Sequence, residues 1–252
     1  MSSEAEREVG DSKYPVLAFH RLSPHFSFSS TNYSPKRFER LLDWQVASGV
    51  NLQSFTLTFD DGYAHLAQVL PPLMQRFRFK AIIFIPTAYM GKENDWDYTH
   101  YFRRERHLDT ASIRGLASLG VRFGSHGHRH VDLTHLSDVR LRSELESSKR
   151  ILEDALGSHI ACISYPFGRC DQTVVQAAEK AGYEVGYTMR FPSSSDQPLA
   201  KGRIAIYGYD TRIAIANKLR NGPARHIERI KASITNRLSE GTIVLNRLRG
   251  LD

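Results

Sequence analysis

Cysteine is almost missing from this chain: Cys162 and Cys170 are the only two in 252 residues. Two thiols cannot build a disulfide framework, and they suit a reducing compartment in which both stay free. Long apolar runs are missing as well. No stretch approaches the roughly 20 residues of a membrane-spanning helix, and the opening MSSEAEREVGDSKY lacks the positive-then-apolar order of a secretory leader. The expectation is a cytoplasmic protein, at most peripheral at a membrane. Internal repeats and low-complexity linkers are lacking too, so nothing divides the chain. What is present is enough for one large core, with 41% hydrophobic and 24% charged residues, which excludes disorder as the default. Residues 1–14 read as a flexible N-terminal segment and 15–252 as a single domain.

Acidic residues are scarce at one end. The net charge is +7, and from Thr211 onward nine Lys/Arg face only Glu228, Glu240 and Asp252. A solvated helix face accounts for such a bias, and so does an anionic partner: a membrane surface, a lipid-linked diphosphate carrier or nucleic acid. Nucleic acid is the least favoured of these, because no recognised module accompanies the charge and aromatics do not interleave with it.

Short apolar runs alternate with amphipathic stretches along the whole chain. Strands are expected at VLAFH (16–20), SFTLTFD (54–60), KAIIFIPT (80–87), VRFGSH (121–126), ACISYP (161–166), EVGYTM (184–189), RIAIYG (203–208) and TIVLN (242–246). Several are apolar at consecutive positions, as in parallel strands covered on both faces. Between them lie helix signals: Ser34 with Pro35, Asp109, Ser137 and Asp171 as caps, and Gly49 and Gly157 as stops. This alternation predicts right-handed parallel crossovers, closed as a barrel or open as a doubly wound sheet. Either way, chemistry belongs at the carboxyl ends of the strands.

Two stretches carry that chemistry. TLTFDDGY (56–63) ends an apolar strand on two adjacent carboxylates, and GSHGHRHVDL (124–133) places histidines at alternate positions. His126 and His130, four apart, can reach one metal ion, and a strand-end carboxylate completes a set of three ligands with open positions. Adjacent aspartates cannot point the same way. One can therefore ligate while its neighbour stays free as a base. The bland readings are a turn aspartate before Gly62 and a histidine-rich surface loop.

TFDDGY (58–63), SHGHRH (125–130), SYPFG (164–168) and AGYEVGYTM (181–189) together resemble the NodB-type polysaccharide deacetylases, carbohydrate esterase family 4. PVLAFHRL and FKAIIFIPT are similar to members of an exopolysaccharide-modification branch. The resemblance, from about Pro15 to Ile206, implies an α/β fold, an irregular (β/α)7-type barrel in one domain. It implies Asp61, His126 and His130 as metal ligands and Asp60 as general base. The implied cofactor is a divalent ion, zinc or another late first-row metal. The implied reaction removes N-acetyl groups from an N-acetylated sugar in a poly- or oligosaccharide, with Tyr165 and Phe167 at the substrate and oxyanion side. Aromatic packing over a strand end is the competing reading of Tyr165.

Two family features are missing. The arginine that orients the base is replaced by Ser164, and the C-terminal stretch TIVLNRLRG has no histidine to act as general acid. His20, ending the first strand, is the preferred substitute acid, over His128. Arg203 could partly supply the orienting charge, though a surface role is the simpler reading of its position. These gaps keep open a catalytically silent carbohydrate-binding homologue, and the ligand set alone also admits an amidohydrolase on a non-sugar amide.

Overall fold

The computed structural model describes residues 15–25, 30–95, 104–220 and 222–238. The segment 1–14 and the eighth strand candidate, TIVLN, lie outside the described residues. Seven strands form one sheet: β1 Val16–Phe19, β2 Thr56–Phe59, β3 Lys80–Ile85, β4 Arg122–Ser125, β5 Cys162–Ser164, β6 Val185–Tyr187 and β7 Ile204–Ala205. Their order is β6-β5-β4-β3-β2-β1-β7, and every pair is parallel.

Successive strand residues alternate between two apolar environments. Leu17, Phe19, Leu57, Phe59, Ala81, Ile83 and Ile163 join the large core shared with the helices. Val16, Ile82, Phe84, Cys162, Val185 and Tyr187 form a smaller cluster on the concave face. Both faces are thus dry, which is why these runs lack polar alternation. The concave face is tightly packed at β4. A Cβ on Gly124 would lie 2.5 Å from the Phe84 ring and 2.8 Å from Cys162 Sγ, so β4 can approach that closely only as glycine. The run leading into β7 also bonds back to β6: Lys201 N–H donates to Gly186 O (2.8 Å) and Thr188 N–H to Lys201 O (2.8 Å). These bonds join the two outer strands into the irregular (β/α)7 half-barrel.

The helices follow their caps. α1 (Pro35–Ala47) starts at Ser34, whose hydroxyl accepts from Arg37 N–H, with proline in its first turn. α2 spans Leu66–Phe77. α3 (Thr110–Ser118) and α5 (Gln172–Lys180) are capped by Asp109 and Asp171, which accept from Ser112 and Val174 N–H. α4 (Asp138–Leu156) starts after Ser137, which makes no side-chain capping bond, and ends on left-handed Gly157. α6 (Arg212–Leu219) and α7 (Pro223–Leu238) close the described chain. The sequence did not signal α2, because Pro71 and Pro72 lie inside it and each interior proline costs about 3 kcal/mol. Burial of Leu66, Leu70 and Leu73 on one face outweighs that penalty.

Candidate functional site

Three ladders run one residue past their strands and deliver polar side chains to the same rim. Asp60 N–H donates to Phe19 O (2.9 Å), His126 N–H to Ile85 O (2.9 Å) and Tyr165 N–H to Tyr187 O (3.0 Å). Beyond Asp60 the chain reverses through two left-handed residues, Asp61 (φ 68°) and Gly62 (φ 59°). That reversal is what sends adjacent carboxylates in different directions. His107, which the sequence reading did not single out, holds the turn: its Nδ1–H donates to Asp61 O at 2.6 Å, and Leu108 N–H donates to Gly62 O at 2.8 Å.

Asp61, His126 and His130 converge, with one ligand atom from each all within 4.8 Å of one another and all three residues buried. Asp61 Oδ1 lies 3.4 Å from His126 Nε2 and 3.3 Å from His130 Nε2, yet it accepts no hydrogen bond. Donor atoms on a tetrahedral cation with bonds of about 2.0 Å are about 3.3 Å apart, so this dry carboxylate oxygen and its imidazoles fit a cation. The tautomer fits as well. His126 Nδ1–H donates to Ser164 O at 2.7 Å, which leaves Nε2 as a lone-pair donor. His128, between the two, turns away and meets Thr87 Oγ1 through Nδ1 at 2.9 Å.

The loop that presents both imidazoles is clamped from α4. Glu144 accepts from His128 N–H (2.9 Å), Arg129 N–H (2.9 Å) and Arg129 Nε–H (2.7 Å). The sequence signal was there, since Glu144 breaks the apolar stripe of Leu141, Leu145 and Leu152 on the buried face of α4. Glu144→Ala strips three donors of their acceptor and lets His130 drift. We expect zinc affinity to fall about 10–100-fold in titrations against a competing chelator, and an unchanged affinity would remove Glu144 from the site.

Asp60 is held differently. Arg203 is fully buried and grips it with a two-pronged pair, Nη1–H to Oδ1 at 2.8 Å and Nη2–H to Oδ2 at 2.7 Å. The same guanidinium donates to Thr58 Oγ1 (3.0 Å), Ser164 Oγ (2.8 Å) and Thr188 O (3.2 Å), and lies beside the touching Phe84 and Tyr187 rings, at 5.5 and 5.6 Å from their centroids. Ser164 Oγ–H donates to Asp60 Oδ2 at 3.1 Å. The surface role expected for Arg203 is therefore wrong. The run leading into β7 bonds to the end of β6, so its leading residue points into the barrel and reaches Asp60 on the same side as Ser164.

Burial pushes the Asp60 carboxyl up, but the Arg203 charge and hydrogen bonds, with His126 and His20, bring it down to about 2. A carboxyl lowered in the folded state stabilises the fold at pH values above its unfolded range, near 3.8. That contribution, about 2 kcal/mol, disappears as pH falls from about 4 to about 2. Urea unfolding of the metal-free protein across this window should show the loss, and a flat profile would contradict the pairing.

His20 reaches the same cluster: its Nε2 lies 3.9 Å from Asp60 Oδ2, with 18% of the side chain exposed. Burial lowers its pKa, against the pull of Asp60 and Asp61. Tyr165 corrects the expectation of a sugar-facing ring. It is wholly buried, its O–H donates to Leu199 O at 2.8 Å and its N–H is taken by Tyr187, so it packs in the core. Phe167 stays at the rim in a left-handed conformation (φ 58°), its ring 4.8 Å from that of His130. Beside it opens a groove of about 880 Å³, lined by Phe167, Met189, Arg190, Phe191, Arg229 and Asn236 among others.

Comparison with known proteins agrees with this geometry. YxkH of Bacillus subtilis (strain 168) is 27% identical over 194 residues, which cover 70% of this chain and 64% of that protein. This chain therefore spans under two thirds of that relative's length. The fold matches the Streptococcus pyogenes deacetylase PplD, solved in complex with acetate, with TM-score 0.68 at 20% identity over 82% of this chain and 98% of that one. It matches IcaB from Ammonifex degensii with TM-score 0.62 at 19% identity, covering 77% and 91%. Residues 48–186, over half of the chain and spanning Asp60, Asp61, His126, His130 and the SYPFG turn, match the family model described as polysaccharide deacetylase, and the chain belongs to that family.

Proposed function

We propose that the protein is a metal-dependent hydrolase that removes N-acetyl groups from an N-acetylated sugar in a poly- or oligosaccharide. The observation that carries this reading is the pairing of a buried, orphaned Asp61 oxygen between two imidazoles with a separate, charge-held Asp60 beside it. A divalent late first-row ion, zinc foremost, would be held by Asp61, His126 and His130, and when bound supplies Lewis acidity to the acetamide carbonyl and acidity to water.

The chain's own residues do the rest. Asp60, kept ionised and immobile by Arg203 and Ser164, takes a proton from the attacking water. The amide carbon gains an oxygen, the C–N bond breaks, and His20 gives its proton to the departing nitrogen. Acetate and a free amine on the sugar result. The backbone N–H of Phe167 supports the carbonyl oxygen as charge develops, and the Phe167 ring offers a face for a sugar. The groove alongside has the size of a ligand cleft and room for further sugar rings. A silent binder has lost its main argument, since Arg203 supplies the orienting charge that Ser164 lacks.

Acetate release from N-acetylglucosamine oligomers should stop on chelation and return with zinc, whereas sugar binding with no release under any metal would overturn the proposal. His20→Ala should lower kcat about 10²–10⁴-fold with metal content unchanged. Full turnover in that variant would remove His20 from the mechanism.

A further inference from the structure

The last described helix exposes the wrong face. In α7 the residues packed against the protein are Glu228 and Ala232, at 5% and 3% exposure. At about 100° per residue, Ile227, Ile230 and Ile234 fall within an arc of about 60° on the opposite side. They are 56%, 50% and 57% exposed. A helix lying on a domain surface normally turns polar residues outward, so three branched apolar side chains centred on the solvent face ask for a covering partner.

The charges around the stripe identify that partner. His226 borders it on one side and Lys231 on the other, and Arg229 lies further round towards the packed face, all three exposed. The helix has one acid, Glu228, and that acid is buried and accepts from Lys231 Nζ at 2.9 Å. No exposed carboxylate therefore lies on the described part of the helix, and the chain from Thr211 onward is strongly basic. Tyr209, half exposed, stands beside the stripe with its O–H shared with Thr235 Oγ1 at 2.6 Å. An apolar stripe edged by cations and an amphipathic aromatic ring is the composition of a helix that lies in the headgroup layer of an anionic bilayer. A protein partner would need its own acidic rim at the same spacing, whereas an anionic lipid surface presents negative charge everywhere. Among the described residues no helix is long and apolar enough to cross a membrane, so the contact is peripheral.

We propose that α7 docks this protein on an anionic membrane surface through Ile227, Ile230 and Ile234, with Lys231 on the headgroups. The flank of the helix away from the stripe contributes Arg229, Ser233 and Asn236 to the groove beside Phe167, so docking through the stripe leaves that groove uncovered. The docking itself does not depend on the deacetylase reading.

Co-sedimentation of the full chain with vesicles tests it. The protein should pellet with phosphatidylcholine vesicles containing phosphatidylglycerol and stay in the supernatant with phosphatidylcholine alone. Ile230→Glu/Ile234→Glu should reduce the bound fraction about tenfold or more, and Lys231→Glu should weaken the dependence on anionic lipid. The isoleucines are exposed, so the first variant should keep its melting temperature and its acetate release from a soluble oligosaccharide. That second assay reads the catalytic reading separately. Equal pelleting of wild type and the Ile230→Glu/Ile234→Glu variant overturns the proposal. So does a vesicle-free dimer that this variant splits, because the stripe would then belong to a second copy of the chain.

Discussion

Arg203→Met is expected to destabilise the protein by about 3–5 kcal/mol in urea unfolding at neutral pH, among the largest losses a single substitution gives. The guanidinium makes four side-chain bonds to oxygen inside the barrel, two of them to Asp60. Methionine fills part of the volume between Phe84 and Tyr187 but supplies no donor. Asp60, 1% exposed, is then left as a buried charge with the Ser164 hydroxyl as its remaining side-chain hydrogen-bond donor among the described residues and His20 3.9 Å away. Its escape is to take up a proton, so its pKa should move from about 2 to above the ordinary 3.8. The stability lost between about pH 4 and pH 2 in the parent should vanish in the variant, because the sign of the shift has reversed. Activity should fall with it, as a protonated Asp60 accepts nothing. Arg203→Met/Asp60→Asn separates the two effects: it should recover part of the stability and none of the turnover. A loss under about 1 kcal/mol for Arg203→Met would mean that the pair is not buried as described.

Asp60→Asn and Asp61→Asn should fail in opposite ways. The first is expected to lower kcat about 10²–10⁴-fold while each chain still binds one zinc, because the amide cannot accept the proton and the three ligands are untouched. The second is expected to lose the metal itself, since a neutral amide oxygen replaces the one anionic donor between His126 Nε2 and His130 Nε2. Metal analysis after dialysis, set beside acetate release, distinguishes them. A metal-free Asp60→Asn or a fully loaded Asp61→Asn would exchange the two roles.

Much of this was readable in one dimension. All seven strands fall within the stretches the sequence marked as strands, most of them apolar at consecutive positions because both faces of a parallel sheet are buried. Ser34, Asp109 and Asp171 cap helices through bonds to residues three further on, a purely local event. The convergence of Asp61, His126 and His130 was legible too, because the two imidazoles come from one short loop and the carboxylate from one strand end. Tyr165 was not. An aromatic residue at a strand end looks the same whether its ring meets a sugar or, as found, the Leu199 carbonyl beneath it. Helix α2 was hidden by two prolines, whose local penalty says nothing of the burial that offsets it.

The chain's own order determined the strand set, the caps and the identity of a carboxylate and two imidazoles able to share a cation, since each depends on neighbours a few residues away. Only the curled sheet decided which group holds Asp60. Arg203 stands 143 positions from Asp60 and 39 from Ser164, and nothing at those separations is periodic. It meets them because β7 pairs with β1 while the run leading into it bonds to β6 at the other end of the strand order, and a charge taken out of water there is stable only against its partner.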